Sequence, residues 1–310
     1  MTLYNPFKYY WDEMKSKAHI RVETRPSLLD TIFLSEKRKN LLLLLKEEGP
    51  KSGEEIKDMF DFPWKSITPQ IRKLIDWGLV LEEGELYVLS DMGSVIAEKV
   101  QVLLNTLSIY EENLDFWYDH DLSSIPLHLL ARVGELGHVN ILERDLSNIF
   151  LIPEEITKNL VDSKRIMSFV SVFHPSSPFL YFEYLEKGIE ATAIVTKPIL
   201  EILQTECTFD LPFIKTNNSI LNRALIEYKQ EIKHILNSKA SNFLVYEGDL
   251  KPMSMIVTDR IFLLSLLDKK GRLTTKFLIS FEPAALEWGE ELFVYYKERS
   301  KPIIESLSTL

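Results

Sequence analysis

Between Ser35 and Ser90 the chain is cut repeatedly by residues that end regular structure, and the pieces between the cuts admit few folds. Ser35 precedes Glu36-Lys37-Arg38-Lys39 and the leucine run Leu41–Leu45, and the stretch closes at Gly49-Pro50. This reads as a helix with a serine N-cap, a glycine suited to the left-handed residue after it, and a proline that cannot continue it. Ser52 is placed to cap a short second helix, Gly53 to Phe60, whose apolar face is Ile56 and Met59-Phe60, and Asp61-Phe62-Pro63 is a turn. In the third helix Ile67, Ile71, Leu74 and Ile75 keep the 3-4 spacing of a buried stripe. Pro69 is expected in its first turn, where a missing N–H costs little. Trp77-Gly78 stops that helix. Leu79-Val80-Leu81 and Leu86-Tyr87-Val88-Leu89 then flank Glu82-Glu83-Gly84-Glu85 as two strands flank a hairpin turn. Three helices and a hairpin in that order predict a winged helix-turn-helix over residues 28–90.

The rest of the chain changes character. Ser90 and Asp91 cap a longer periodic helix (Val95, Ile96, Val100, Leu103, Leu104, Leu107) that runs to about Glu111, and 91–114 is assigned as a linker and dimerisation helix. From Asp115 to Phe150 a connector with one helix, Pro126 to Leu136, is expected. Beyond it helices alternate with apolar runs: helix Pro153–Ser163, strand Ile166–Phe173, helix Phe179–Lys187, strand Ile189–Val195, helix Pro198–Glu206. That succession predicts parallel strands joined by a helical crossover. Ser219–Asn237 reads as a further helix. Asn242–Val245, Ser254–Thr258, Ile261–Leu267 and Thr275–Ser280 read as strands, the last two joined by a turn at Asp268-Lys269-Lys270-Gly271, and Ala284–Arg299 closes as a helix. Residues 115–310 are therefore assigned to an α/β domain, and 310 residues suit two domains. Met1–Ser27 is treated as an N-terminal extension with no signal peptide in view.

Composition narrows the function classes. One cysteine, Cys207, excludes a disulfide scaffold and an all-cysteine metal site, and points to the cytoplasm. Apolar runs such as Leu41–Leu45 are far below the ~20 residues of a membrane span. A net charge of −10 argues against nonspecific coating of nucleic acid, though not against a locally basic reading surface. The third helix offers such a surface. Away from its apolar stripe lie Lys65, Ser66, Thr68, Gln70, Arg72 and Lys73, with Asp76: basic groups for phosphates, and Gln, Thr and Arg for base edges. Against it stand a balance of −3 over residues 30–90 and an acidic hairpin tip. Docking of a protein partner on this module is therefore a second reading.

Enzyme motifs are missing. Gly49-Pro50-Lys51-Ser52-Gly53 does not meet the phosphate-loop pattern, and H-E-x-x-H, G-x-S-x-G and G-x-G-x-x-G do not occur. His120, between Asp119 and Asp121, reads as part of a polar loop, and His128 as a core or interface residue of an apolar helix. No cofactor and no metal are expected. Ligand-site candidates are taken at strand ends, where open α/β sheets bind ligands: Ser171 and His174, Thr196 and Lys197, and Asp259 and Arg260.

Several segments resemble a known family. Leu34-Ser35-Glu36-Lys37-Arg38-Lys39-Asn40-Leu41, Gly49-Pro50-Lys51 and Leu74-Ile75-Asp76-Trp77-Gly78-Leu79-Val80 look like archaeal, methanogen-type transcription regulators with an ArsR-like winged helix. In that family the reading head precedes a C-terminal domain named after a filamentation regulator. The second half is similar to that domain in Ser171-Val172-Phe173-His174-Pro175, Val257-Thr258-Asp259-Arg260 and Ala285-Leu286-Glu287-Trp288-Gly289-Glu290-Glu291-Leu292-Phe293. The likeness runs from Leu28 to Pro302. The α/β half also resembles the phospholipase-D-like fold of archaeal sugar-responsive regulators. Enzymes of that fold need H-x-K, whereas His174 is followed by Pro175-Ser176 and His234 by Ile235-Leu236, so a non-catalytic sensing domain is implied. The resemblance implies a homodimeric regulator of operator DNA that answers to a small-molecule effector. An enzyme of the phospholipase-D-like fold is the remaining alternative.

Overall fold

The computed structural model describes residues 27–60, 63–144, 153–172, 177–201, 227, 230, 241–249, 251–252 and 254–303. The expected helix Ser219–Asn237 apart from residues 227 and 230, the residues 202–206, Cys207 and His174 lie outside the described residues. The chain divides into two compact units between Gln101 and Val102.

In the first unit helix α1 (Leu28–Phe33) precedes α2 (Glu36–Glu48), β1 (Lys51–Ser52), α3 (Gly53–Met59), α4 (Trp64–Asp76) and the hairpin β2 (Val80–Glu83) and β3 (Leu86–Leu89). Helix α1, whose first turn Ser27 caps, and strand β1 were not expected from the sequence. Strand β1 pairs antiparallel with β3, so the hairpin becomes a three-stranded sheet in the order β1-β3-β2. Gly49 leaves α2 at φ 77°, ψ −161°, a region essentially reserved for glycine. Ser35, in contrast, makes no side-chain cap to α2. The cap of α3 is a full capping box: Ser52 Oγ accepts from Glu55 N at 3.3 Å and Glu55 Oε2 from Ser52 N at 2.7 Å. The core gathers Leu41, Leu42 and Leu45 of α2, Ile56 of α3, and Ile67, Ile71 and Leu74 of α4, all at most 3% exposed. Each such side chain stabilises the fold by about 1.5–3 kcal/mol. Pro69 sits inside α4 rather than in its first turn, because the helix already begins at Trp64.

Helix α5 (Asp91–Glu112) carries the division between the units. Ser90 caps it, accepting from Gly93 N at 2.9 Å.

Among the described residues the second unit is built on an eight-stranded mixed sheet. Its strands are β4 (Asn140–Glu143), β5 (Arg165–Val170), β6 (Glu190–Thr196), β7 (Ser241–Tyr246), β8 (Ser254–Thr258), β9 (Phe262–Ser265), β10 (Lys276–Ser280) and β11 (Ser300–Pro302). They lie in the order β11-β7-β6-β5-β8-β9-β10-β4. Strands β5 and β6 run parallel, as the alternating pattern predicts; β7 also runs parallel to β6, which the pattern does not specify, and the remaining pairings are antiparallel. The connector is richer than expected. It holds α6 (Leu114–Asp119), α7 (Leu127–Leu130), two 3-10 turns and β4, in place of one helix from Pro126 to Leu136. Helices α8 (Glu154–Val161), α9 (Ser177–Glu186) and α10 (Pro283–Lys297) complete it.

Alternation along the strands divides the core in two. Phe169, Met255, Val257, Phe262, Leu264 and Leu278 pack with Trp288, Leu292, Phe293 and Tyr296 of α10. Ile166, Phe277 and Ile279 turn the other way, onto Ile156 and Leu160 of α8 and Tyr184 of α9. Strands covered on both faces read as continuous apolar runs, which is how they look in the sequence. Trp288 Nε1 donates to Leu129 O at 3.0 Å and Tyr296 Oη to Ser124 O at 2.5 Å, so these large side chains bury no unpaired donor.

Candidate nucleic-acid interface

Helix α4 reaches its position through small, specific contacts. Gly53 opens α3 directly beneath Trp64, the first residue of α4; a Cβ on Gly53 would meet the Trp64 ring at 3.0 Å. Ile67, Ile71 and Leu74 anchor the inner side of α4, which leaves Lys65, Arg72 and Lys73 exposed. Lys65 and Arg72 are seven residues apart and share one side of the helix. Among the described residues none of the three has a hydrogen bond or an ion pair. Two other cations of this unit are paired with carboxylates: Lys46 with Glu98 at 2.8 Å and Lys51 with Glu48 at 3.4 Å. Within a segment of net negative balance, α4 itself carries Lys65, Arg72 and Lys73 against a single acid, Asp76, and so presents a local excess of positive charge.

The polar residues expected beside them are placed differently. Ser66, Thr68 and Gln70 are half-buried rather than open. Ser66 Oγ donates to Pro63 O at 2.7 Å and accepts from Lys37 Nζ at 2.9 Å; Thr68 Oγ1 donates to Trp64 O at 3.1 Å. Gln70 Oε1 accepts from Arg38 Nη1 at 2.5 Å. These side chains brace the helix, and the expectation that all six present themselves outward is corrected to Lys65, Arg72 and Lys73. Arg38 is the residue that sequence reasoning missed. It is 9% exposed, its Nε donates to Thr31 O, and burial lowers its pKa from the ordinary guanidinium value. A signal for it exists: Arg38 stands three, four and seven residues before Leu41, Leu42 and Leu45, on the inward stripe of α2. The hairpin tip, Glu82, Glu83 and Glu85, is exposed and acidic as expected.

In the second unit the structure separates the ligand-site candidates. The register Val170 opposite Val195 brings Ser171, Thr196 and Lys197 to the carboxyl edge of β5 and β6. Ser171 Oγ donates to Pro252 O at 3.0 Å, Thr196 is buried, and Lys197 is exposed. Asp259 and Arg260 lie at the opposite edge, because β8 runs antiparallel and pairs Thr258 with Ile166. Five residues of strand separate the edges, roughly 17 Å. One site cannot contain both groups, a correction that follows from strand direction. Asp259 Oδ1 accepts from Lys164 N at 2.9 Å. Burial pushes its carboxyl up, but the backbone N–H groups of the β5 entrance more than offset this and hold it below the ordinary carboxylate range. His120 is buried rather than part of a polar loop: Nδ1 contacts Phe116 O at 2.6 Å and Nε2 Thr274 Oγ1 at 3.1 Å. His128 is exposed, not core. No group of three or more His, Cys, Asp or Glu side chains fit to hold a metal occurs among the described residues.

Comparison with known proteins agrees with this division. The family model of the Methanogenesis regulatory protein FilR1, N-terminal domain, matches residues 27–108, and the model of its middle domain matches 149–214 and 214–299. The chain belongs to the FilR1 family. The FilR1 protein of Methanothrix harundinacea (strain 6Ac) is 25% identical over 273 residues, which are 87% of this chain and 57% of that relative. The chain thus spans little more than half the length of the curated FilR1 relative it matches. Among solved structures, the archaeal chromatin protein TrmBL2 overlays with a TM-score of 0.36 at 14% identity, covering 86% of this chain and 94% of its own. NucT from Helicobacter pylori overlays at 0.35 and 10% identity, covering 53% and 98%. Among the described residues no helix is long and apolar enough to cross a membrane.

Proposed function

We propose that this FilR1-family chain is a transcription regulator that binds operator DNA as a homodimer through α4 and answers to an effector in its α/β domain. The observation that carries the reading is the set of three exposed cations on α4, unpaired among the described residues, on a helix otherwise held in place by buried contacts. In a winged helix-turn-helix of ArsR type this helix enters the major groove, with Lys65, Arg72 and Lys73 on phosphates and base edges. A second copy is invoked by α5, whose Met92, Val95, Val102, Leu103 and Leu107 are exposed apolar side chains. The α/β domain is read as a non-catalytic, phospholipase-D-like sensing domain, with Ser171, Thr196 and Lys197 at the edge where an effector would sit. Asp259 and Arg260 form a separate candidate at the other edge. His174 belongs with the first group by its place in the sequence.

The test is binding of the full chain to a labelled duplex from upstream of its own gene, against scrambled duplex, across a salt series. Each phosphate contact contributes about −0.9 to the slope of log K against log salt. Replacing Lys65, Arg72 and Lys73 together with alanine is expected to abolish sequence preference and to flatten the slope by about 2–3. An unchanged slope and preference in that variant overturns the reading. The exposed acidic tip at Glu82, Glu83 and Glu85 favours a second reading, a protein-docking module. Absence of preference for any duplex in a genomic fragment selection, together with a protein partner retained at high salt, would establish it.

A further inference from the structure

Arg38 is a buried cation without an anion. Its guanidinium meets two neutral acceptors, Thr31 O and Gln70 Oε1, and among the described residues no carboxylate reaches it. Burying an unpaired charge is costly, and the usual compensation is a counter-ion. Three further observations concern the same corner. Ser35 makes no side-chain cap to α2, so the first N–H groups of that helix keep their positive partial charge. Lys37, the second residue of α2, places its ammonium on Ser66 of α4. The hydroxyl of Thr31, on the residue whose carbonyl takes Arg38 Nε, is buried with no hydrogen-bond partner. Glu36 also lies in this turn but makes no contact with Arg38 among the described residues.

We propose that the start of α2, through Arg38, is an anion seat for one DNA backbone phosphate flanking the groove that α4 enters. The proposal rests on the DNA-binding reading above and adds to it a contact outside α4. Arg38 contacts Gln70 and Lys37 contacts Ser66, so the seat touches α4 at two points four residues apart, one helical turn. A phosphate held there fixes the roll of α4 in the groove. Gln70 Oε1, already accepting from Arg38, is drawn towards α2, which biases Gln70 to offer its amide N–H groups to a base edge.

Two measurements on the full chain test the seat. Inorganic phosphate, compared with chloride at equal ionic strength, is expected to raise the melting temperature of the unaltered protein but not of Arg38→Met. The variant lacking Lys65, Arg72 and Lys73 is expected to keep that rise. On duplex DNA, Arg38→Met is expected to flatten the salt slope by about 0.9, equally on native and scrambled sequence. Should Arg38→Met fail to fold, Gln70→Glu replaces it: a carboxylate supplied from inside satisfies Arg38 and is expected to abolish the phosphate effect in a folded protein. A phosphate effect that survives in Arg38→Met and Gln70→Glu, or is absent from the unaltered chain, overturns the seat. If the chain binds no duplex while phosphate still acts through Arg38, the operator reading falls and the anion seat stands. Duplex binding with an unchanged slope in Arg38→Met has the opposite meaning.

Discussion

Gly93, in the first turn of α5, lies so close to Leu79 that a Cβ on it would stand 1.9 Å from the Leu79 carbonyl oxygen. That oxygen already accepts from Ser90 N at 3.0 Å and, with Gly78 O, from Ser90 Oγ. The strand–helix junction is thus pinned by backbone, and the atoms a Cβ on Gly93 would meet are backbone atoms of Leu79 rather than the far end of a flexible side chain.

Gly93→Ala is accordingly expected to destabilise the first unit by about 1–3 kcal/mol or more, as overpacking does where backbone must move. Urea unfolding followed by circular dichroism checks this. A neutral effect would mean that α5 shifts freely against Leu79.

The capping box of α3 gives a prediction with a pH signature. Ser52→Ala is expected to cost about 1 kcal/mol. The Ser52 backbone N–H, then its side chain, hold the Glu55 carboxyl below its ordinary value of 4.5. A depressed carboxylate stabilises above its unfolded pKa and loses that contribution as pH falls through the folded one. The stability gap between the unaltered protein and Glu55→Gln, present at pH 7, is therefore expected to close as pH drops below 4.5. Thermal unfolding of both proteins across acid pH measures it.

In the second unit Ser168 and Tyr181 share a partly buried hydrogen bond between β5 and α9. Tyr181→Phe leaves the Ser168 hydroxyl unpaired and is expected to cost about 1–3 kcal/mol, while adding Ser168→Ala recovers much of the loss. Burial pushes the Tyr181 phenol up to about 12, partly opposed by Ser168. A raised pKa means that stability is intact below the unfolded value near 10 and is lost as pH rises towards 12. Tyr181→Phe is expected to remove that share of the alkaline slope, read from melting temperature against pH.

Helix α5 yields the prediction on assembly. Leu103→Glu with Leu107→Glu places two charges among its exposed apolar residues and is expected to turn a dimer into a monomer with an unchanged fold. Sedimentation velocity and circular dichroism decide this. A variant that remains dimeric excludes this part of α5 as the contact.

The sequence was most legible where structure is decided locally. Gly49-Pro50, Ser52 and Trp77-Gly78 mark ends that the chain does adopt, because each acts on its own few bonds. Strands β1 and β4 escaped notice since a strand of two or four residues exists only through its partner, and β10 lies more than a hundred residues beyond β4. Helical spacing alone put Gln70 outward; Arg38, on another helix, draws it inward. Asp259 and Thr196 both follow strands, yet only strand direction, which no local pattern carries, tells that they end on opposite edges.

The borders of the large sheet also limit how copies of this chain can meet. Among the described residues one border is β11, three residues long and ending in Pro302, which has no N–H to offer a neighbour; the other is the four-residue β4. Such short, interrupted margins discourage edge-to-edge growth between molecules and with it fibrous aggregation.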